Sequence, residues 1–200
     1  NFHPYIQTDF SEQQLELITP IAPSTQEVRR LLGAITDVTG RSISREELMW
    51  PLSMPPQIRE DEIDIAHLEN AYELCYRQGL AEKYGKRLQT ISGIHYNIEL
   101  GKDLMTALFE VSGFKSLKDF KNALYLKLAR NFLRFRWLLT YLYGATPLAE
   151  AGFYDNPPEA LVRSLRNSHY GYANDEHVHV SFSSLESYVS DIEAYVESGD

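Results

Sequence analysis

The sequence predicts an α+β fold in which helices pack beside an antiparallel sheet. Runs of period two and runs of period 3.6 both occur, and they follow one another without a regular βαβ rhythm. The composition is that of a globular chain: 44% of the 200 residues are hydrophobic and 24% are charged. No internal repeat or low-complexity tract points to a solenoid or a linker.

Each element has its own reason. Residues 14–19 alternate in part and stop at Pro20 and Pro23, as a short strand does. Ser24 or Thr25 then caps a helix that carries Val28, Leu31, Leu32 and Ile35 and ends at Gly40. Residues 50–56 contain three prolines, which remove donors and fix the backbone, so they form a stiff loop bearing large apolar side chains. Over 64–84 the spacing of Ile65, Leu68, Tyr72, Cys75 and Tyr76 is helical, and Gly85 ends the run.

Residues 90–100 alternate and predict a strand. Ile94, Tyr96, Ile98 and Leu100 share one face; Gly93, His95, Asn97 and Glu99 share the other. A helix over 102–111 leads through Gly113 to the longest element, which Ser116 caps. Its apolar stripe of Leu117, Phe120, Leu124, Leu128, Phe132, Phe135, Leu139 and Leu142 runs up to Gly144 and predicts the core-organising helix. The chain is irregular after Pro147, with a turn at 155–158; a short strand at 178–182 and a helix over 184–196 close it.

Charge and cysteine content exclude several classes of function. Nineteen Lys and Arg against twenty-eight Asp and Glu leave a formal charge of −9, so no broad positive field draws in nucleic acid or an anionic membrane. The most apolar stretch, 137–143, is far short of the roughly 20 residues a membrane span needs. The only cysteine, Cys75, forbids an internal disulfide and suits a reducing compartment. The chain opens at Asn1 with a segment that reads like the inside of a fold, so we expect a piece lacking its natural beginning.

Three segments can carry chemistry. The polar face of 90–100 offers His95 as a metal ligand or proton carrier, Asn97 as a two-way hydrogen bonder and Gly93 as a point of close backbone approach. A satisfied histidine on a wet sheet face is the alternative. Glu16 lies between Leu15 and Leu17, so if both leucines enter the core it faces the opposite way, toward His95 if the two strands share a sheet. Asp9 and Glu16 supply the oxygens that hard cations need, though a turn-forming Asp and an exposed Glu look the same in sequence. Residues 164–174 set Arg166, whose planar fork suits phosphate or carboxylate, before Gly171 between two aromatics. A plain surface loop is the alternative there.

Taken together, these segments resemble the glutamate–cysteine ligase (γ-glutamylcysteine synthetase) family. The resemblance rests on Thr8-Asp9-Phe10 with Glu16-Leu17-Ile18-Thr19-Pro20, on Trp50-Pro51-Leu52-Ser53-Met54-Pro55, and on Tyr76-Arg77 with Gly79-Leu80 and Tyr84-Gly85. It continues through Gln89-Thr90-Ile91-Ser92-Gly93-Ile94-His95-Tyr96-Asn97, Arg134-Phe135 with Trp137, Tyr141-Leu142 with Gly144-Ala145, and Ser164-Leu165-Arg166 with Gly171-Tyr172 and Asn174. The form of 166–172 is most similar to the ligase half of bifunctional glutathione synthases.

The resemblance implies a glutamine-synthetase-like antiparallel sheet and the central part of a catalytic domain over 1–200, with portions missing at both ends. It implies a cytoplasmic, ATP-dependent ligase that joins L-glutamate to L-cysteine with ATP and Mg2+, or Mn2+ in its place. By the same resemblance Glu16 and His95 are metal ligands, Asp9 lies beside them and binds metal or the attacking amine, and Arg166 stabilises the transferred phosphoryl group. Phe10, Tyr76 and Tyr172 line the cysteine pocket and Arg77 meets a substrate carboxylate. Asn97 and the backbone of Ile91 and Gly93 hold glutamate. The family also draws metal ligands from a Glu-x-Glu strand upstream of the Asp9 block and from a further acid well downstream of Tyr172, neither of which these residues include, so the 200 residues alone are expected to be inactive. Two other readings remain: another carboxylate–amine ligase of the same superfamily, and a non-catalytic binding module built around the long helix.

Overall fold

The computed structural model describes residues 3–67, 70–171 and 178–198. The chain forms two compact units, one of residues 1–93 with 146–172 and one of 94–145 with 173–200.

In the first unit, β1 (Ile6–Thr8) and β2 (Leu15–Leu17) pair antiparallel, with Gln7 opposite Glu16. The expected strand at 14–19 is therefore present in its central part. Helix α1 (Thr25–Ser42) packs against β2. Ser24 caps it as the sequence predicts, its hydroxyl accepting the Glu27 N–H at 3.2 Å, which satisfies one of the donors a helix start leaves open. The proline-rich loop is neither helix nor strand; Trp50 Nε1 donates to the Met54 carbonyl at 2.8 Å and Met54 is buried.

Helix α2 (Ala71–Tyr84) starts at Ala71 rather than at residue 64. The backbone of 64–66 is taken by tertiary pairing: Glu12 N–H donates to the Asp64 carbonyl at 2.9 Å and Ala66 N–H to the Phe10 carbonyl at 3.0 Å. Burial of Ile63 and Ala66, both 0% exposed, holds that pairing in place, and local helical spacing yields to it. Gly85, at φ 80°, closes α2 and opens α3 (Lys86–Gln89), a conformation that favours a residue without a Cβ.

Beneath these elements lies a core of Met54, Ile91, Phe153 and Leu165, with Leu88, Ala149, Tyr154, Val162 and Tyr170 packed around it. Leu165 N–H donates to the Thr146 carbonyl at 3.0 Å, so the 146–172 segment is tied to itself as well as to the core.

The second unit contains α4 (Lys102–Glu110), α5 (Leu117–Tyr143) and α6 (Leu185–Ser198). Ser116 caps α5 through the Asp119 N–H at 3.3 Å, and Ser184 accepts the Ser187 N–H at 3.1 Å at the start of α6. Phe120 is buried with its ring 5.7 Å from Phe109 and 5.8 Å from Phe114. Helix α6 packs on α5, and Arg130 of α5 donates to the Phe182 carbonyl.

Three expectations are corrected. Residues 90–100 are not a strand: the only ladder among the described residues is β1 with β2, and Ile94 and Ile98 of the apolar face are exposed. Alternation marks which side chains share a face, but a strand exists only where a neighbour receives its hydrogen bonds. Residues 178–182 lack a ladder partner in the same way. The stripe of α5 is not a buried core either, since Leu128, Phe132, Phe135, Leu139 and Leu142 are all exposed and Phe120 alone of α5 is buried. Periodicity identifies an apolar face without supplying the layer that covers it.

The class is α+β, mostly helical, with one two-stranded antiparallel sheet among the described residues. Among them no helix is long and apolar enough to cross a membrane. Leu165 is 1% exposed at the centre of the four-residue core. Leu165→Ala is expected to lower the unfolding free energy by about 2–5 kcal/mol in a urea titration. A loss below about 0.5 kcal/mol, the range of a surface substitution, would contradict this account of the core.

Candidate functional site

The first unit brings together residues that are far apart in sequence. Arg166 Nη1 donates to the Ile91 carbonyl at 2.5 Å across 75 positions. The side chains on either side of that bond, Ile91 at 2% exposure and Leu165 at 1%, are buried in the same core, which fixes both backbones. Gly93 lies directly against the guanidinium: a Cβ built on it would stand 2.6 Å from Nε and 2.8 Å from Cζ of Arg166.

The loop that carries Arg166 is held tightly. Asn167 N–H donates to Ser164 Oγ at 3.3 Å, Ser168 Oγ to the Leu165 carbonyl at 2.8 Å, and Tyr170 N–H to Ser168 Oγ at 3.2 Å. Gly171 folds against this same backbone, where a Cβ would meet the carbonyl oxygens of Arg166 at 2.3 Å and Leu165 at 2.5 Å. Its bareness thus serves the loop's own closure.

Residues 91–93 are braced from two sides. Ser92 N–H donates to the Ser53 carbonyl at 2.8 Å and Ser53 Oγ returns a bond to the Ser92 carbonyl at 2.5 Å, which gives the Trp-Pro-Leu-Ser-Met-Pro loop its task. Gln14 makes the second brace. Its Nε2 donates to the Gln89 carbonyl at 3.2 Å and Ser92 Oγ at 3.4 Å, while its Oε1 accepts from Ser11 N–H at 3.2 Å and Ser11 Oγ at 3.1 Å. Sequence reasoning passed over Gln14, because a glutamine beside a short strand carries no signal until the chain brings Gln89 and Ser92 to it.

Asp9 and Phe10 belong to the turn that Gln14 organises, with Asp9 N–H donating to the Gln14 carbonyl at 3.0 Å. Asp9 is exposed; Phe10 is 4% exposed and acts as packing. Glu16 is exposed on β2 opposite Gln7, and Leu15 beside it is also exposed, so the condition that both leucines enter the core does not hold. Tyr76 is exposed on α2. The next residue, Arg77, has Nη1 buried with no hydrogen-bond partner among the described residues. A buried guanidinium nitrogen without an acceptor carries a desolvation cost that an anionic ligand would relieve.

His95 and Asn97 are exposed and belong to the second unit. Residues 90–100, which carry His95, have no ladder partner among the described residues. Tyr172 lies outside the described residues. No group of three His, Cys, Asp or Glu side chains able to hold a metal ion forms among the described residues. A cavity of about 490 Å3 lined in part by Arg59, Glu60, Arg87 and Phe153 contains none of the expected site residues.

This geometry sits in a chain whose family can be stated. The glutamate-cysteine ligase family matches residues 1–199. The chain belongs to the glutamate–cysteine ligase family. It is 65% identical over 198 residues to the glutathione biosynthesis bifunctional protein of Streptococcus mutans, covering 99% of this chain and 26% of that protein. The protein of the same description from Enterococcus faecalis is 53% identical, with 100% of this chain and 27% of the relative covered. Among solved structures, a bifunctional glutathione synthetase from Pasteurella multocida matches with a TM-score of 0.91 at 48% identity, over 98% of this chain and 26% of that one. The chain thus spans about a quarter of the length of these relatives.

One acid controls the entry to the Phe10 turn. The backbone N–H of His67 at 2.6 Å, and its ring at 2.8 Å, hold the Glu12 carboxyl below its ordinary range. A carboxyl depressed in the folded state adds stability above its unfolded pKa and loses it as pH falls through the folded value. The melting-temperature difference between wild type and Glu12→Gln is expected to be present at about pH 6 and to shrink as pH falls below about 4. A difference that stayed constant across that range would show that the carboxylate charge does not hold the turn.

Proposed function

We propose that these residues are the central part of a glutamate–cysteine ligase catalytic domain, working within a longer protein. The reaction joins the γ-carboxylate of L-glutamate to the amino group of L-cysteine, the first step of glutathione biosynthesis. The observation that carries the reading is the seat of Arg166 on the Ile91 carbonyl in a chain of this family.

The γ-carboxylate attacks the γ-phosphorus of ATP, the bond to ADP breaks, and an acyl phosphate forms. The cysteine amine then attacks the acyl carbon, inorganic phosphate leaves, and the amine gives up a proton as the amide forms. Phosphoryl transfer depends chiefly on positioning and on neutralising the charge of the transferred group. Arg166 suits the second task, since a planar cation fixed by a backbone carbonyl needs little reorganisation when charge develops beside it. Arg77 Nη1 supports the binding of a substrate carboxylate, and the exposed ring of Tyr76 is open to the cysteine side chain. Phe10 and Tyr172 are assigned to the same cysteine pocket, and Asn97 and the backbone of Ile91 and Gly93 to holding glutamate.

The family reading includes Mg2+, or Mn2+, with Asp9, Glu16 and His95 among its ligands. The family pattern includes further metal ligands, and these are assigned to parts of the protein beyond these 200 residues. The same holds for the sheet: the glutamine-synthetase-like antiparallel sheet of the family reading is assigned to the longer protein, and the exposed Ile94, Tyr96 and Ile98, which have no ladder among the described residues, support a covering layer from outside them. The exposed thiol of Cys75 has no part in the chemistry and suits a cytoplasmic enzyme.

ADP release by the full-length enzyme is expected to require glutamate, cysteine and Mg-ATP together, and the 200-residue chain alone is expected to release none. Arg166→Ala in the full-length enzyme is expected to lower kcat by about 100- to 1000-fold. Glu16→Ala should likewise cost orders of magnitude in turnover with the melting temperature largely kept. Near-normal turnover in Glu16→Ala would overturn its assignment as a metal ligand.

A further inference from the structure

We propose that Gly93 is a positioning residue for Arg166, acting by the absence of a side chain; the inference rests on the ligase reading of Arg166. Its carbonyl neighbour two residues back, Ile91, fixes one end of the guanidinium through Nη1. Gly93 fixes its plane. Nε, Cζ and Cδ of Arg166 would stand 2.6, 2.8 and 3.1 Å from a Cβ at position 93, closer than a carbon atom tolerates. Only the bare Cα lets the arginine head reach the Ile91 carbonyl over this stretch of backbone.

Everything that a Cβ at 93 would meet most closely belongs to one flexible side chain. The backbone of 91–93 is anchored independently by Ser53, by Gln14 and by the buried Ile91 side chain. A methyl group at 93 therefore displaces the guanidinium and leaves the main chain where it is. Gly171 makes the contrast, because there a Cβ would strike backbone oxygens of Leu165 and Arg166 and the loop itself would have to move. One glycine serves the fold of the loop; the other serves the aim of its arginine.

The test is a double-mutant cycle in the full-length enzyme, read as kcat, KM and melting temperature. Gly93→Ala is expected to lower kcat by about 100-fold, the cost of a displacement near 1 Å in a reacting group, with KM for glutamate unchanged. Its melting temperature should match wild type, whereas Gly171→Ala should melt lower. In an Arg166→Ala background, Gly93→Ala should cost nothing further, because the group it positions is already gone. A full, multiplicative loss in that background overturns the proposal while leaving the role of Arg166 intact. So does a raised KM for glutamate with kcat unchanged, which would put the whole effect on the glutamate contact of the 93 backbone and none on Arg166, or a collapse of melting in Gly93→Ala. If Arg166→Ala itself turns over normally, the ligase role of Arg166 falls and the positioning role falls with it.

Discussion

The first unit depends on one apolar contact set: Met54, Ile91, Phe153 and Leu165 burying their side chains together. Each comes from a different stretch of chain, and each stretch carries something on its outer side. Met54 brings the proline-rich loop, Ile91 brings the 91–93 backbone, and Leu165 brings Arg166. Burying such side chains contributes about 1.5–3 kcal/mol apiece, against about 0.5–1.5 kcal/mol for a hydrogen bond. The polar contacts therefore determine where the site residues point, and the core determines that they meet at all.

Directional bonds refine what the core assembles. The reciprocal pair between Ser53 and Ser92 and the four contacts of Gln14 leave the 89–92 backbone little freedom. Arg87 extends the same logic to the segment bearing Phe153, with Nη1 donating to the carbonyls of Gly152 and Phe153 at 3.0 Å each. Preorganisation of this kind suits a site whose task is to meet developing negative charge without rearranging. It also explains why a residue without a side chain can matter as much as one with a charge.

The second unit is organised differently. Its helices are capped and regular, yet most of the apolar stripe of α5 and the apolar face of 94–98 are exposed. A face of that size gains nothing from water, and it accords with a chain that spans about a quarter of its relatives' length. Regular local structure and an incomplete core coexist here, because capping and periodicity act within a few residues while burial needs a second layer.

What the amino-acid sequence determined by itself is local or motif-borne. Ser24 and Ser116 were legible as caps, Gly85 as a helix end, residues 50–56 as a stiff loop, and the ordered motif blocks as a family; all follow from chemistry within a few positions of each residue. The start of α2 was not legible, since the pairing of 64–66 with 10–12 involves residues about fifty positions away. Nor was the lack of a ladder at 90–100, where alternation is visible in the sequence but the presence of a pairing neighbour is not. Arg166 was legible as a cation suited to phosphate, while its seat was not. Only the tertiary structure decided that Ile91 and Leu165 share a core, that Gln14 braces the turn to Ser92, and that Gly93 faces a guanidinium. Contacts across 75 positions are set by which apolar side chains find one another on folding, and no short-range pattern encodes that choice.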